Sequence, residues 1–356
     1  MAHFILDHRV GGPHKYARTV AQLLLSKNIR STIITTGIGP CTDWSLINLR
    51  HITKFLYPVE ILLNIFIICW HFRQIKRNTS LVFDVHGALN LAPIVAARIS
   101  SIAVVWHIHE TINGAQLLVK VGKAVLAGFK HQKVVVASSA ERIFGLPDSL
   151  HIPGSVDSAF WRLKTSREQE EDKVTLLAIG NLNPLKGHDV LIEALRELDL
   201  AVELSIVGAK LDTYSSYSKK LESNIAEINA LGLHKVRLLG WRSEVEIRDL
   251  LSNSDIFVLP SRSEACPLAL LEAMSTGCAC IASNVGDVAK IIGSTKGALL
   301  VRGGNPGDLR RAIKELAVGG RERRTAMGLL ARDRVLDDYS CFKIASSHLK
   351  VYRKFF

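Results

Sequence analysis

The 356-residue chain lacks the cysteine spacings that build zinc knuckles or disulfide frameworks. Its six cysteines stand at positions 41, 69, 266, 278, 280 and 341, and no two of them form a CxxC pair. The pattern therefore indicates neither a cysteine-ligated metal site nor a disulfide-stabilised secreted domain. Unpaired cysteines are typical of a reducing compartment, so we expect a cytoplasmic protein.

The sequence also lacks a clean apolar run of the roughly 20 residues that crossing a bilayer requires. Its longest apolar stretch, residues 55–72, is interrupted by Pro58, Glu60, Asn64 and His71. The amino terminus shows no basic leader and no cleavage pattern, so we expect no signal peptide. The 55–72 stretch is typical of a helix packed on a sheet, and a helix that dips into a membrane surface is the alternative.

Basic residues are not interleaved with aromatic ones in any run, so we expect no nucleic-acid partner. The net charge of +12 is unevenly distributed: residues 1–155 carry 16 basic against 7 acidic residues (+9), and the remainder carries 29 against 26 (+3). A basic first half attracts phosphates or anionic lipid headgroups. Solubility alone is the other explanation for this charge.

Short apolar segments alternate with longer amphipathic ones along the chain, which is typical of parallel sheets covered by helices. Strands are predicted at 3–7, 31–35, 81–85, 102–106, 134–137, 174–179, 201–207, 236–239, 256–259 and 280–282. Because 356 residues exceed the usual size of one core, two domains are expected. The polar segment 158–173 marks the break between them.

Two acidic residues, Glu264 and Glu272, bracket a segment that follows the apolar strand 255–259. Pro267 suits the first position of a helix, because its missing N–H costs nothing there. Free N–H groups in the first turn, on Leu268 and its neighbours, form a natural phosphate site. The pattern predicts that the two carboxylates hold hydroxyls of one bound sugar nucleotide, whereas a capping acid plus a solvated helix Glu is the alternative.

Two glycine turns offer further contacts for a ligand. Gly180 and Lys186 lie in a turn between a strand and an amphipathic helix, where a lysine is a natural phosphate contact. Gly11 and Gly12 follow the first predicted strand and allow close approach of a ligand to the backbone. Most such turns merely redirect the chain, so each signal is weak by itself.

Taken together, these elements resemble the retaining glycosyltransferases of family 4, which have the two-domain GT-B fold. The likeness spans nearly the whole chain and includes, besides the glutamate pair and Gly11-Gly12, segments 81–87, 104–110, 134–138, 152–157, 180–186 and 239–242. It implies an α/β fold of two Rossmann-like, doubly wound parallel-sheet domains that face an interdomain cleft. The acceptor domain would be 1–157 and the nucleotide-sugar donor domain 158–337, with a C-terminal helix in 338–356 packing back on the first domain.

The resemblance also assigns roles to individual residues. Glu264 would hold donor-sugar hydroxyls, Glu272 would bind the ribose, Lys186 would neutralise the diphosphate, and His109 would lie beside the donor sugar. The donor site would further include Gly180, Cys266, Pro267 and Leu268. On the acceptor side it would include Gly11, Gly12 and His86, although a structural role for His86 is equally compatible with the sequence.

The chain departs from the family pattern at the diphosphate site and at the wall of the donor pocket. Family members usually carry Arg where this chain has Asn181, so Lys186 acts alone or Arg242 or Arg262 substitutes. The usual Gly-Phe after the first glutamate is replaced by Ala265-Cys266. Both changes bear on the identity of the donor more than on the type of reaction.

His107 and His109 alternate with apolar neighbours, so a continuing strand would direct both imidazoles to one face. Zinc binding is one reading of such a pair. No third ligand stands at a telling spacing, and the resembling family does not require a metal. We therefore expect no bound metal and no cofactor.

The reaction implied by the resemblance is transfer of a sugar, with retention of configuration, from a nucleoside diphosphate sugar. The acceptor would be a glycan or lipid-linked molecule of surface polysaccharide or lipopolysaccharide biosynthesis. The basic first half fits a contact with anionic lipid at the inner face of the membrane. A sugar-nucleotide epimerase of the same fold and a non-catalytic sugar-nucleotide-binding protein are the alternatives.

Overall fold

The computed structural model describes residues 1–5, 12–36, 44–46, 57–76, 80–87, 90–109, 132–146, 149–163 and 173–355. Of the residues discussed above, Gly11 and most of the segment 158–173 lie outside these ranges. The chain forms two compact units. Unit 1 comprises Met1–Ser155 and Phe342–Phe356, and unit 2 comprises Val156–Cys341.

Unit 1 contains a parallel sheet whose strands occur in the order β3-β2-β1-β4-β5-β6-β7. The strands are β1 (Ala2–Ile5), β2 (Thr32–Thr36), β3 (Trp44–Leu46), β4 (Val82–His86), β5 (Ala103–Ile108), β6 (Gln132–Val135) and β7 (Leu150–His151). The central strands β1, β4 and β5 are mostly apolar because both faces of a parallel sheet are covered. Phe83 and Trp106 from these strands are fully buried in the core.

Unit 2 contains a second parallel sheet, in the order β10-β9-β8-β11-β12-β13. Its strands are β8 (Val174–Ile179), β9 (Val202–Val207), β10 (Lys235–Gly240), β11 (Ile256–Leu259), β12 (Ala279–Ser283) and β13 (Ala298–Val301). The order reverses direction between β8 and β11, both central strands. In doubly wound sheets such a reversal is where ligands bind, beyond the carboxyl ends of the strands.

Helices connect most of the strands in both units. Those within the described ranges are α1 (Gly12–Leu25), α2 (Tyr57–Lys76), α3 (Leu91–Ile99), α4 (Ser138–Phe144), α5 (His188–Arg196), α6 (Ser215–Ala230), α7 (Glu244–Ser252), α8 (Leu268–Ser275), α9 (Val288–Ile292), α10 (Pro306–Val318), α11 (Gly320–Asp338) and α12 (Cys341–Tyr352). The last of them, α12, belongs to unit 1 although it follows unit 2 in the sequence. Tyr352 near its end donates a hydrogen bond of 3.0 Å to Asp84 of β4.

The predicted fold class is confirmed, with two Rossmann-like parallel-sheet domains. All the predicted strands are present within one or two residues of their expected bounds, where the structure describes them. Three strands were missed: β3, β7 and β13. Two of these are only three and two residues long, and β13 is an edge strand, so their hydrophobic patterns are too short or too exposed to stand out.

Candidate functional site

Lys186 and Glu264 form an ion pair at the carboxyl edge of the second sheet. Lys186 Nζ donates to Glu264 Oε1 over 2.7 Å, and Ser261 Oγ donates to the same oxygen over 2.7 Å. Lys186 ends a 3₁₀ turn after β8, whereas Ser261 and Glu264 follow the neighbouring strand β11. The Lys186 side chain is 30% exposed and that of Glu264 only 7%. The pair thus presents an accessible cation at the place where this type of sheet binds ligands.

Three glycines allow the loops around this ion pair to approach one another. A Cβ on Gly208, which follows β9, would overlap the carbonyl oxygen of Gly180. A Cβ on Gly187 would overlap the carbonyl oxygen of Pro260, and its φ of 66° also favours glycine. At Gly180, a Cβ would lie 3.0 Å from the side-chain carbons of Lys186. The glycine turn predicted from the sequence is therefore a point where backbones and the lysine stem pack closely.

A hydrogen bond from the His188 side chain holds the Gly180 turn in place. His188 Nε2–H donates a 2.8 Å hydrogen bond to the carbonyl oxygen of Gly180, and the side chain is fully buried. Burial lowers the pKa of His188 to about 4, so the imidazole is neutral at neutral pH. This role was not predicted from the sequence, although a histidine directly after Lys186-Gly187 at the start of α5 was the available signal.

Asn181 holds a neighbouring loop through a hydrogen bond. Members of the family that this chain resembles usually have Arg at this position. Asn181 Oδ1 accepts a hydrogen bond of 3.2 Å from the backbone N–H of Ala209, which follows β9. The Asn181 side chain is half-buried. An arginine at this position would therefore lose a loop contact while adding a charge.

Arg262, one of the predicted substitutes for the missing cation, is engaged within the protein. Its Nη1 and Nη2 donate to Asp189 Oδ1 and Oδ2, each over 2.7 Å, and Nη1 also donates to Pro184 O over 2.8 Å. Tyr217 OH donates to Asp189 Oδ1 over 2.9 Å. Partial burial acts to raise the pKa of Asp189, but the hydrogen bonds from Arg262 and Tyr217 outweigh it and the pKa is lowered. Contact with a diphosphate would require Arg262 to leave this bidentate pair.

Arg242, the other predicted substitute, lies further along the sheet. It follows β10, the edge strand that is separated from β8 by β9. Its Nε is 3.5 Å from Glu246 Oε1, and its Nη1 donates to Trp241 O over 2.9 Å. The structure thus brings Lys186 and Glu264 together and places Arg242 two strands away from β8.

Helix α8 begins one residue later than predicted, at Leu268. Pro267 is its N-cap in an extended conformation, and the first helical bond runs from Leu270 N to Pro267 O over 3.1 Å. The N–H groups of Leu268 and the next residue precede that bond, as a phosphate site requires. Glu272 lies in the same helix and is buried. Cys266, just before the helix, is half-buried and forms no disulfide with a cysteine in the described part of the chain.

The backbone at Glu264 is held in place by the loop after β12. Asp287 N donates to Ala265 O over 3.0 Å. Gly286 has a φ of 55°, and a Cβ on it would overlap Glu264 O. The carboxylate of Glu264 therefore projects from a backbone segment that this loop holds in place, which suits a residue that must hold a ligand in one orientation.

Unit 1 contains a buried cluster of histidines around Asp84. His3 Nδ1 lies 2.7 Å from Asp84 Oδ2, and His107 Nε2 lies 2.7 Å from Asp84 Oδ1, which also accepts the bond from Tyr352. Burial acts to raise the pKa of Asp84, but the surrounding histidines hold it well below its ordinary value. Asp84 is therefore an ionised carboxylate in the middle of the domain.

His86, the last residue of β4, and His109, directly after β5, extend this cluster to the carboxyl ends of the two strands. His86 Nδ1 lies 3.0 Å from His109 Nε2, and the two rings are stacked with centroids 5.3 Å apart. Burial lowers the pKa of His86 to about 4 and that of His109 well below its ordinary value. Both imidazoles are therefore neutral at neutral pH. The ring of His107 lies 6.4 Å from that of His109 and is also stacked, as expected for two residues on one face of a strand.

Tyr16 of α1 covers the histidine cluster. Its ring packs edge-on against four imidazoles, with centroid distances between 5.0 and 6.0 Å to His86, His107, His109 and His348. Gly12, the predicted ligand contact, is the first residue of the same helix. The structure thus brings His86 and His109 into contact and groups them with His3, Asp84 and His348, which the sequence did not single out as a group.

Helix α2 has two apolar faces. One face packs in the core through Ile68 and Phe72, whereas Phe66 and Trp70 on the opposite face are each 71% exposed. The exposed face also carries Val59, Leu62, Leu63 and, at its end, Arg73. An exposed apolar stripe of this kind marks an interaction surface. Among the helices that the structure describes, none is both long enough and apolar enough to cross a membrane.

Comparisons with known proteins bear on the function of these sites. Residues 160–334 match the sequence profile of the family described as glycosyl transferases group 1. An uncharacterized glycosyltransferase of Methanocaldococcus jannaschii is 32% identical over 152 residues, 43% of this chain and 40% of that protein. The UDP-Gal:alpha-D-GlcNAc-diphosphoundecaprenol alpha-1,3-galactosyltransferase of Escherichia coli is 24% identical over 321 residues, 80% of this chain and 79% of that protein. The chain thus spans only two fifths of the first relative and about four fifths of the second.

Similarity to solved structures identifies the fold. The crystal structure of Anabaena Alr3699/HepE in complex with UDP and glucose matches with a TM-score of 0.82 at 16% identity, covering 99% of this chain and 98% of that chain. Likeness at this level of identity concerns the fold alone. The predicted GT-B fold, with its two Rossmann-like domains, is confirmed.

Proposed function

We propose that the chain moves a sugar from a nucleoside diphosphate sugar to a glycan or lipid-linked acceptor. The basis is its membership of the group 1 glycosyl transferases, whose profile residues 160–334 match. The observation that carries this proposal is the contact of 2.7 Å between Lys186 Nζ and Glu264 Oε1 beside the start of α8. A cation, a carboxylate and free helix N–H groups are the three contacts that a sugar diphosphate needs.

The donor diphosphate binds Lys186 and the first turn of α8 in this proposal. A diphosphate carries more negative charge than the single carboxylate of Glu264 and attracts an ammonium group more strongly, so it draws Lys186 Nζ away from Glu264. The Glu264 carboxylate then accepts hydrogen bonds from hydroxyls of the donor sugar. Glu272, further along the same helix, binds the ribose.

In the reaction itself, the protein must stabilise the leaving group. As the bond between the anomeric carbon and the diphosphate oxygen breaks, the electron pair goes to the diphosphate. Lys186 and the helix start stabilise that charge, and fixed positive potential of this kind supplies a large part of many enzymatic rate enhancements. The acceptor hydroxyl forms the new bond on the face that the diphosphate leaves and passes its proton to the departing phosphate oxygen, so configuration is retained.

The acceptor is received by unit 1, and we propose that it is lipid-linked. Residues 1–155 carry an excess of nine basic residues (16 − 7), which suits a phosphate-bearing acceptor or an anionic surface. The exposed apolar face of α2 suits the boundary of a bilayer. The Escherichia coli relative is named for a diphosphoundecaprenol-linked acceptor. A role in surface polysaccharide or lipopolysaccharide biosynthesis at the inner face of the membrane agrees with these features.

Two measurements test this proposal. Thermal shifts with a panel of UDP-, GDP- and ADP-sugars identify the donor, because a ligand of the folded state raises apparent stability by mass action. We expect the largest shift with a UDP-sugar. The preferred donor is then incubated with and without a polyprenyl-diphosphate-linked sugar, and the products are separated by mass spectrometry.

The outcomes separate the alternatives. Sugar transfer that depends on the acceptor supports the proposal. Conversion of the donor without an acceptor would identify an epimerase, and binding without turnover would identify a non-catalytic protein. No thermal shift with any nucleotide would remove the donor assignment altogether.

A further inference from the structure

His3, Asp84 and His86 form a compact set of potential metal ligands inside unit 1. His3 on β1 pairs directly with Asp84 on β4, and His86 lies two residues further along β4, so all three side chains point to one face of the sheet. One potential ligand atom from each residue lies within 4.8 Å of the other two. All three side chains are buried. Two neighbouring central strands therefore hold the set rigidly.

We propose that His3 Nδ1, Asp84 Oδ2 and His86 Nε2 bind a divalent transition-metal ion, for which Zn²⁺ is the best-fitting candidate. Zinc bonds to imidazole nitrogen and carboxylate oxygen are about 2.0–2.2 Å long, which puts tetrahedral ligand atoms about 3.3–3.5 Å apart. His86 Nε2 already lies 3.3 Å from Asp84 Oδ2. His3 Nδ1, at 2.7 Å, must move outward by roughly 0.7 Å as its hydrogen bond is replaced by a metal bond.

His86 Nε2 supplies a second, independent observation. This nitrogen is buried and forms no hydrogen bond within the part of the chain that the structure describes, although a carboxylate oxygen is 3.3 Å away. Buried polar atoms in folded proteins are nearly always satisfied, and an exception needs an explanation. A metal ion that shares His86 Nε2 and Asp84 Oδ2 as ligands satisfies both atoms.

The surrounding residues are placed to orient these ligands. His107 Nε2 and Tyr352 OH contact the other carboxylate oxygen, Asp84 Oδ1, at 2.7 and 3.0 Å. His86 Nδ1 contacts His109 Nε2 at 3.0 Å, so the Nδ1–H of a metal-bound His86 donates to His109. Metal-bound histidines and carboxylates are usually held by such outer partners. His3 Nε2 has no hydrogen-bond partner among the described residues, so no such outer partner orients the His3 ring there.

Charge and burial determine how the ion is taken up. One carboxylate among the three ligands would leave a divalent ion with one uncompensated positive charge, which a fourth, anionic ligand such as hydroxide would cancel. Because the three ligands are buried, the folded protein should take up the ion slowly. Refolding in the presence of the ion should load the site quickly. This property is independent of sugar transfer, and its test does not use enzymatic activity.

The test uses the full chain without a polyhistidine tag, stripped with a chelator and refolded with Zn²⁺. We expect one equivalent of tightly bound Zn²⁺ by elemental analysis and by competition with a chromophoric chelator. Co²⁺ in its place should show the intense visible absorption of a four-coordinate ion. His3→Gln, Asp84→Asn and His86→Gln should each lower affinity by at least about 100-fold, and His107→Gln by about 10- to 100-fold.

His348→Gln is the matched control, because His348 is a buried member of the same cluster that is not among the proposed ligands. It should change the affinity by no more than a few fold. Circular dichroism and size-exclusion chromatography verify that each variant is folded, and His3→Gln and His86→Gln carry the test if Asp84→Asn does not fold. The proposal is overturned if the refolded wild-type chain binds no Zn²⁺, or if the ligand variants bind it as tightly as the control. In either case the cluster is a hydrogen-bonded network around Asp84 and nothing more.

Discussion

Arg262 and Asp189 hold each other through two parallel hydrogen bonds of 2.7 Å each. This pair ties the loop after β11 to helix α5, which follows β8, and so fixes the two loops that carry Glu264 and Lys186. Because the guanidinium of Arg262 is engaged there, Lys186 rather than Arg262 is the cation that contacts Glu264. Lys186 is thus the basic residue at the proposed diphosphate site, and Arg262 is the one that holds the two loops together.

Lys186→Met should nearly abolish sugar transfer. Methionine keeps most of the side-chain length and the packing against Gly180 but removes the charge that stabilises the departing diphosphate. Loss of one such electrostatic contact lowers turnover by about 100- to 1000-fold. Steady-state kinetics measures the effect, and Lys220→Met, an exposed lysine on α6, is the control. Near-normal turnover in Lys186→Met would mean that Arg242 or a displaced Arg262 neutralises the diphosphate.

Glu272→Gln should weaken the binding of the free nucleoside diphosphate as well as the whole donor. If the carboxylate accepts hydrogen bonds from the ribose, its loss costs on the order of 1.5–3 kcal/mol, which is roughly a 10- to 150-fold increase in Kd. Isothermal titration calorimetry with UDP measures this change. The side chain is buried, so a thermal melt of the variant must accompany it. An unchanged affinity in a folded variant would exclude contact with the ribose.

His109→Ala should depress turnover far more than nucleotide affinity. His109 belongs to unit 1, whereas Lys186 and Glu272, the proposed diphosphate and ribose contacts, belong to unit 2. A comparison of kcat with the Kd for UDP separates the two effects. His107→Ala is the matched comparison, since His107 contacts Asp84 and Tyr352 and its loss should lower thermal stability. Equal losses of turnover and nucleotide affinity in His109→Ala would indicate a purely structural role.

Acid should destabilise the protein through His188, because burial lowers its pKa from 6.5 to about 4. Between those two values the unfolded chain binds a proton that the folded chain does not. The contribution of neutral His188 to the free energy of unfolding is therefore complete above about pH 6.5. It falls as the pH drops and is lost below about pH 4. The pKa difference corresponds to about 3 kcal/mol.

Urea denaturation of wild type and of His188→Gln across this pH range checks the prediction. Glutamine still has an N–H group to donate to Gly180 O but does not titrate, so the difference between the two pH profiles isolates His188. Parallel pH profiles of the two proteins would show that protonation of His188 does not destabilise the folded state.

Helix α2 should mediate reversible binding to anionic membranes. Phe66 and Trp70 supply an exposed apolar face and Arg73 a charge at its end, and each basic residue near an anionic surface contributes about 1 kcal/mol. We expect the protein to co-sediment with vesicles that contain anionic lipid, to be released by high salt, and to ignore neutral vesicles. Phe66→Gln combined with Trp70→Gln should weaken binding by at least about 10-fold, whereas Leu25→Gln, exposed on α1, should not.

Lys76 is not a suitable target for the same experiment, although it stands near Arg73. Its Nζ donates to the carbonyl oxygens of Ser100 and Ser101 at the end of α3, so its replacement would disturb the packing of α2 on α3. Arg73→Glu alone therefore tests the electrostatic part. Failure of the wild-type protein to bind anionic vesicles at low salt would leave solubility as the role of the basic excess.

Much of the fold and part of the proposed donor site could be predicted from local patterns. The apolar segments that became β8 and β11 were recognised because residues buried on both faces of a parallel sheet form short continuous runs. The start of α8 was predicted within one residue from Pro267. Gly180, Lys186 and Glu264 were selected because each follows a predicted strand, and strand ends in such sheets meet at one edge.

The sequence by itself thus determined the two sheets, the glycine turns and the residue types at the strand ends, all of which depend on neighbours a few positions apart. Only the tertiary structure decided that Lys186 pairs with Glu264 while Arg262 pairs with Asp189, because those choices depend on side-chain directions across two loops. It alone gathered His3 with Asp84, which are 81 positions apart. Strands β1 and β4 become neighbours by a crossover, and their pairing register is set by packing between helices and sheet, which no local spacing encodes.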